Sequence, residues 1–407
     1  MKYFRSYFLI LLLTFVTKNT YSQYYISSEV QKLNMAIMAI NNFYVDTISE
    51  SKLVEDAIVG MLQKLDPHSS YIPKDEVQKM NEPLEGNFEG IGVQFNMLED
   101  TLFVVQTISG GPSEKVGIMA GDRIIYVNDT LIAGVNMQNS DIMKRLRGKK
   151  GTEVQVKIKR KGEKKLIDLK IIRDKIPIYS LDAAYMINDK LGYIKLNRFS
   201  STTHKEFLEA LLKLKSQGLE QLILDLQGNG GGYLTTAISL ANEFLSKDQL
   251  IVYTEGEHQK KQVEKANSKG EYMSGDLVVL IDESSASASE IMAGAIQDWD
   301  RGILVGRRSF GKGLVQRPIP LNDGSIIRLT IARYYTPTGR SIQRPYNEGY
   351  DKYKEDLIDR YNSGELIHED SINLPDSLKK ETLKHHRIVY GGGGIMPDIF
   401  VPIDTTK

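Results

Sequence analysis

Residues 277–299, LVVLIDESSASASEIMAGAIQDW, contain a whole strand–turn–helix unit, and its reading decides the fold. Leu277–Ile281 is an unbroken apolar run of strand length, the pattern of a strand covered on both faces rather than one. From about Ala288 to Trp299 the pattern is helical. Between them, Ser284–Glu290 places four serines in seven residues. The N-terminus of a helix presents free N–H groups and the positive end of its dipole, so negative charge developing there is stabilised. A serine at such a turn has its hydroxyl beside ready oxyanion donors, one being the amide of the next residue. The competing reading is that Ser284, Ser285, Ser287 and Ser289 only cap and pack. The residues of this stretch do not choose among the four.

Working outward, strands and helices alternate from about Lys175 onward. LGYIKLNRF is followed by a helix opening at Thr203-x-x-Glu206, a capping-box spacing, carrying Phe207, Leu208, Leu211 and Leu212 and stopping at Gly218. QLILDL, a glycine run, the helix LTTAISLANEFL and the 277–299 unit follow. This alternation with apolar strands predicts an α/β layer. Residues 346–389 are charged and helix-like and read as a peripheral insertion, after which GGGGIMPDIFVP supplies a last strand. Upstream, 83–173 consists of short strands (IGVQFNML, LFVVQTI, RIIYVN, EVQVKIKR) with two helical patches, which predicts a small, partly open β-barrel domain. Residues 23–82 are helical in pattern until LDPHSSYIP, Leu65–Pro73, interrupts them; His68 there reads as a turn residue.

The chain has 407 residues, 52 basic against 52 acidic and no cysteine. Zero net charge argues against a nucleic-acid partner, and the missing thiols remove disulfides and thiol catalysis together. No cofactor motif is complete and no cluster has zinc-ligand spacing. The first 22 residues carry Lys2 and Arg5, an apolar run Tyr7–Val16 and small residues before Gln23. That layout is a signal peptide of an exported, periplasmic protein, the alternative being an uncleaved anchor. The amphipathic segment 23–81 is read either as a homodimer contact or as a cap on the core.

Two further stretches carry chemistry. LDLQGNGGG, Leu224–Gly232, ends a buried strand with four glycines in five residues. The dinucleotide fingerprint starting at Gly228 fails, because position 233 is Tyr233. GRRSFGKG, Gly306–Gly313, resembles a phosphate loop but has Gly313 where a hydroxyl residue is required, and a strand rather than a helix follows. What remains is Lys312. A desolvated lysine can be neutral near pH 7 and accept a serine proton, which replaces histidine in the triad logic. Of the six histidines, none has a neighbouring motif that would orient it as the base.

Taken in order, LDPHSSYIP, GIGVQF, GIMAGDRIIYVND, LRGKKGTEV, YIKLNRFS, DLQGNGGG, SSASASEI, SFGKGLVQ, YYTPTGRSIQ and GIMPDI resemble the carboxyl-terminal processing proteases, PDZ-containing serine peptidases with a Ser/Lys pair. The resemblance runs from about Leu65 to the C-terminus. It implies a crotonase-like α/β protease core, 174–407, with an inserted PDZ domain, 83–173. It implies Ser287 as nucleophile, Lys312 as general base and Gln316 as the residue that orients it, positions 312 and 316 facing the same side of an extended strand. The implied oxyanion hole is the amide of Ala288 with that of Gly231 or Gly232. The implied PDZ carboxylate loop is Gly90, Ile91 and Gly92, with the peptide added as a strand beside Val93, Gln94 and Phe95 and with Arg147 as a linking contact. The expected partners are protein or peptide substrates with free C-termini, cut near that end; a catalytically silent peptide-binding adaptor is the alternative. One departure is visible: Gln227 stands where the family commonly has Arg. Asp225 then reads as a structural residue at the strand end.

Overall fold

The computed structural model describes residues 27–404 except 268 and 373, so the leader-like residues 1–22 lie outside it. Two units separate at Leu62 and Gln63. The first contains the helix Ser28–Phe43, whose N-cap Ser27 Oγ accepts the Val30 N–H, and most of the helix Glu50–Gln63. Among the described residues no helix is long and apolar enough to cross a membrane.

The second unit is built on two sheets and a third, six-stranded one in an inserted module. Its central sheet runs in the order Leu181–Met186, Leu191–Leu196, Gln221–Asp225, Asp276–Ile281, Ile303–Gly306, Ile399–Phe400. The first pair is antiparallel and every later pair is parallel. The apolar faces of the helices Thr203–Ser216, Leu234–Asn242 and Ala288–Asp298 pack on it through Phe207, Leu211, Leu240, Met292 and Ile296, all fully buried. Each such side chain contributes about 1.5–3 kcal/mol by leaving water. The helix Ala288–Asp298 is buried along its whole length, which explains its small residues Ala288, Ala293, Gly294 and Ala295.

A second, antiparallel sheet lies in the same unit: Ser70–Ile72, Ile326–Tyr335, Leu250–Gly256 and Gln259–Lys265, with Leu314–Pro320 also paired to Ile326–Tyr335. The expected strictly alternating α/β pattern does not contain this sheet. Its edge strand QKKQVEK is polar and mostly exposed, so it lacks an apolar signature.

Between the helix Lys74–Glu85 and the core, strands Val93–Leu98, Thr101–Thr107, Arg123–Val127, Glu153–Lys159 and Ile167–Ile172 form one sheet, with Thr130–Leu131 paired to its middle. Helices Pro112–Lys115 and Asn139–Leu146 accompany it. The sheet stays open, its first and last strands being unpaired with each other. A separate two-strand ladder, Asn87–Gly90 against Asp174–Pro177, ties together the points where the chain enters and leaves this module.

Two local expectations are corrected. Thr203 is the first helical residue rather than a cap, and Glu206 instead receives the backbone N–H groups of Ser180 and Leu181 and the Thr202 hydroxyl. The glutamate therefore fastens the helix to the neighbouring strand. Among the described residues of 346–389 only Tyr350–Asn362 is α-helical; two single-turn helices and a short hairpin, Lys379–Glu381 with Ile388–Tyr390, make up much of the rest.

Candidate active site

The serine-rich turn and the glycine run meet at the C-terminal ends of the adjacent parallel strands Gln221–Asp225 and Asp276–Ile281, and backbone hydrogen bonds join them. Ala286 N–H donates to the Asn229 carbonyl at 3.0 Å, as does Ser289 Oγ at 2.8 Å. Ser285 Oγ donates to the Leu226 carbonyl at 2.8 Å, and Gly228 N–H donates to the Asp282 carboxylate. These bonds separate the four serines. Ser285 and Ser289 are fully buried and occupied in the seam, and Ser284 is exposed at its edge. Ser287 is half-buried and N-caps the helix Ala288–Asp298 with φ +56°.

Gly231 packs directly against Ser287. A Cβ at Gly231 would lie 2.6 Å from the Ala286 carbonyl oxygen and 2.9 Å from both Ala288 N and Ser287 Cβ, so only glycine fits. Gly231 N–H already donates to Asn229 Oδ1 at 2.9 Å. Among the described residues the N–H groups of Ala288 and Gly232 make no such bond.

Lys312 is joined to this turn through Glu290. The Glu290 carboxylate is wholly buried and accepts four hydrogen bonds: Ser287 N–H at 2.7 Å, Lys312 N–H at 2.9 Å, Gly311 N–H at 2.6 Å and Ser309 Oγ at 2.6 Å. Tyr334 supplies a second clasp, its hydroxyl lying 3.1 Å from the Ser287 carbonyl and bonded to that of Lys312. Burial pushes the Glu290 carboxyl above its ordinary range, although the four donors oppose that shift. Glu290 has a sequence signal of its own, since Ser287-x-x-Glu290 has the spacing of a capping box.

Lys312 precedes the strand Leu314–Pro320, and a register shift falls between Val315 and Gln316. The even spacing of 312 and 316 along one extended strand therefore does not explain their meeting. They meet nonetheless, Nζ donating to Gln316 Oε1 at 3.0 Å. Burial, reinforced by the Arg328 cation, holds the Lys312 ammonium below its usual range, while the Glu290 and Asp66 carboxylates oppose this. Among the described residues Lys312 Nζ makes no hydrogen bond to Ser287 Oγ. His68, read as a turn residue, bonds Tyr353 Oη through its ring at 2.8 Å, and its carbonyl accepts the Gln316 Nε2–H at 2.5 Å. Asp225 is held by Tyr193 Oη at 2.5 Å and Lys195 Nζ at 3.3 Å, and its carboxylate accepts the Gln227 N–H at 2.8 Å. Lys195 thus provides a cation beside Asp225 without help from position 227.

In the inserted module, Phe88, Ile91, Val93, Phe95, Met143 and Leu146 line a groove with Gly92 and Arg147. The Ile91 carbonyl accepts from Ser113 N–H and Oγ, and the Gly92 carbonyl from Ile108 N–H. Arg147 pairs with Glu82 at 2.5 Å and stacks 4.7 Å from the Phe88 ring centre. Gly90 and Gln94 do not line the groove: Gly90 ends a paired strand, and Gln94 is exposed and bonded to Gln106 at 2.7 Å. Among the described residues no group of three or more His, Asp or Glu is placed to hold a metal ion.

Comparison with known proteins places this arrangement. Residues 190–349 match peptidase family S41, 90–171 a PDZ domain and 14–76 the N-terminal domain of the activating protease CtpB. Carboxy-terminal processing protease CtpA of Bacillus subtilis is 37% identical over 318 residues, covering 78% of this chain and 67% of that protein. CtpB of the same organism is 33% identical over 368 residues, covering 89% and 75%. A carboxy-terminal-processing protease of Bartonella bacilliformis is 36% identical over 331 residues, covering 80% and 74%. With its PDZ module and S41 peptidase region, this chain belongs to the carboxy-terminal processing proteases and is a serine-type peptidase.

Proposed function

We propose that Ser287 is the nucleophile and Lys312 its general base, in an exported endopeptidase that cuts proteins near their C-termini. The observation that carries this reading is the Glu290 carboxylate, which accepts the N–H groups of both Ser287 and Lys312 and so brings together two motifs that are separate in sequence. Desolvation of Lys312 favours the neutral amine that a base requires. The serine proton passes to Nζ as Oγ attacks the scissile carbonyl. The oxyanion is received by the Ala288 and Gly232 N–H groups, because Gly231 N–H is already committed to Asn229. Lys312 then returns its proton to the leaving amine, and the acyl-enzyme is hydrolysed by a water that the same lysine deprotonates. Substrate-free pairs of nucleophile and base often stand apart and close only on binding, so the missing Ser287–Lys312 bond is compatible with these roles.

The PDZ groove takes the substrate C-terminus. With the Ile91 and Gly92 carbonyls turned to Ser113 and Ile108, the amide groups of this loop are left for a carboxylate, and an extended peptide adds beside Val93 and Phe95. Substituting Ser287→Ala and, separately, Lys312→Ala tests the pair on an unstructured peptide with a free C-terminus. Each variant should lose roughly 10³-fold or more in kcat while keeping its melting transition. Cleavage retained by either would overturn the assignment. A wild type that binds peptide C-termini without cutting them would favour the silent adaptor.

A further inference from the structure

The turn Leu65–Pro73 stands directly behind the lysine. Gln316 Nε2 donates to the His68 carbonyl at 2.5 Å. A carbonyl can only accept, so the carboxamide must give its nitrogen to His68, and this turns its oxygen toward Lys312 Nζ, 3.0 Å away. The orientation matters chemically. Facing an acceptor, a neutral Lys312 donates one hydrogen to Gln316 and keeps its lone pair for the serine proton. Facing the amide NH₂ group, it would spend that lone pair on Gln316.

The His68 carbonyl is itself held in place by a buried carboxylate. Asp66, 7% exposed, accepts the N–H groups of His68 and Ser69 at Oδ1, both at 2.8 Å, and the Ser69 hydroxyl at Oδ2 at 2.6 Å. The same turn is fastened to Thr330, the cross-strand partner of Gln316: Thr330 Oγ1 donates to Asp66 Oδ1 and Thr330 N–H to Ser69 Oγ, each at 3.1 Å. On the other side the His68 ring bonds Tyr353 Oη through Nε2 at 2.8 Å and lies 6.5 Å from the ring of Phe310, two residues before Lys312. A buried carboxylate, a neighbouring strand and an aromatic contact together fix one backbone carbonyl.

We propose that Asp66 is a positioning residue for the base: by holding the His68 carbonyl it fixes the Gln316 carboxamide with its oxygen on Lys312. This rests on the reading of Lys312 as general base. Among the described residues Asp66 makes no hydrogen bond to Ser287 or Lys312; its positioning role runs through the His68 carbonyl and Gln316. Its charge acts on Lys312 in the opposite sense to burial, and Asp66→Asn separates the two by removing the charge and keeping the acceptor.

A double-mutant cycle on the full chain tests this. Asp66→Ala should lower kcat roughly 10- to 100-fold with little change in KM, the scale expected when a catalytic group is misplaced by about 1 Å. In a Gln316→Ala background the same substitution should lower kcat by less than about 3-fold, since coupled residues are non-additive. Asp66→Asn, which keeps an acceptor oxygen for the two amides, should restore most of the rate. Full multiplication of the Asp66→Ala and Gln316→Ala effects, or an unchanged kcat in Asp66→Ala, overturns the proposal. Should Asp66→Ala not fold, Ser69→Ala carries the same cycle with the same two outcomes. Lys312→Ala run alongside separates the two claims. If it still cleaves, the base assignment fails; if it is inactive while the Asp66 and Gln316 effects multiply, only the positioning role fails.

Discussion

The serine side and the lysine side of the site are held by different means. Ser287 is fixed by Glu290, three positions on, and by the seam with the glycine run, whose bond from Ser289 to Asn229 spans 60 positions but joins the ends of two adjacent strands of one parallel sheet. Lys312 has its backbone on the same glutamate, but its ammonium is aimed by Gln316, whose own anchor is 248 positions away. The serine side is therefore assembled once the parallel sheet and its helix form. The lysine side is complete only when the antiparallel sheet closes and brings the Ser70–Ile72 strand onto Arg328–Ile326. The serine side is set within one parallel sheet and the lysine side by closure of a second sheet, so damage far from the site should reach the lysine first.

The largest expected effect removes what the two sides share. Glu290→Ala strips the acceptor from three backbone N–H groups and the Ser309 hydroxyl at a fully buried position. At about 1–3 kcal/mol for each unsatisfied buried donor, partly relieved by relaxation, it should cost roughly 3–5 kcal/mol in denaturant unfolding. Peptide cleavage should fall below detection with it. Near-native stability and activity would mean that the sides are not joined there. An intermediate effect sharpens the lysine side alone. Arg328 helps hold the Lys312 ammonium below its usual range, so Arg328→Gln should raise the lysine pKa. With Lys312 as the proposed base, its neutral amine is the active form, so the rising limb of the kcat/KM pH profile should move to higher pH, and activity lost at neutral pH should return in alkali. A limb that stays in place would break the link between Arg328 and the base.

The smallest effect concerns His68. Burial, with Lys312 nearby, lowers its pKa from 6.5 to about 4. Between those values the unfolded chain takes up a proton that the folded one refuses, so stability falls as pH drops from 6.5 toward 4. In His68→Asn the melting temperature should depend less on pH across that window, with the pH 7 value changed only slightly. An unaltered slope would show that other groups carry the acid sensitivity.

The same division explains what could be read from the sequence. The unit 277–299, the glycine run and the strand after Lys312 announce themselves because each is a contiguous pattern, an apolar run, a punctuated turn or a missing phosphate-loop residue. The resemblance then picked Ser287 out of four serines, and the structure supplies a physical reason to set Ser285 and Ser289 apart, since both are fully buried. Asp66, His68 and Thr330 gave no such signal. Nothing local in LDPHSSYIP says that its carbonyl will meet a glutamine on a strand 248 positions later. The polar edge strand Gln259–Lys265 was missed for a related reason: it is defined by its ladder partner, not by its own hydropathy.

The backbone of Ser287 carries one further consequence. At φ +56° and ψ −109° it occupies a conformation that glycine tolerates and a side-chain-bearing residue resists, at a cost on the order of 1–3 kcal/mol. A fold optimised only for endurance, or only for holding peptides, would relax that position to glycine and be the more stable for it. Keeping a hydroxyl-bearing residue on that bend sacrifices folding free energy at one residue. The sacrifice has a physical rationale in a peptidase and none in an inert scaffold.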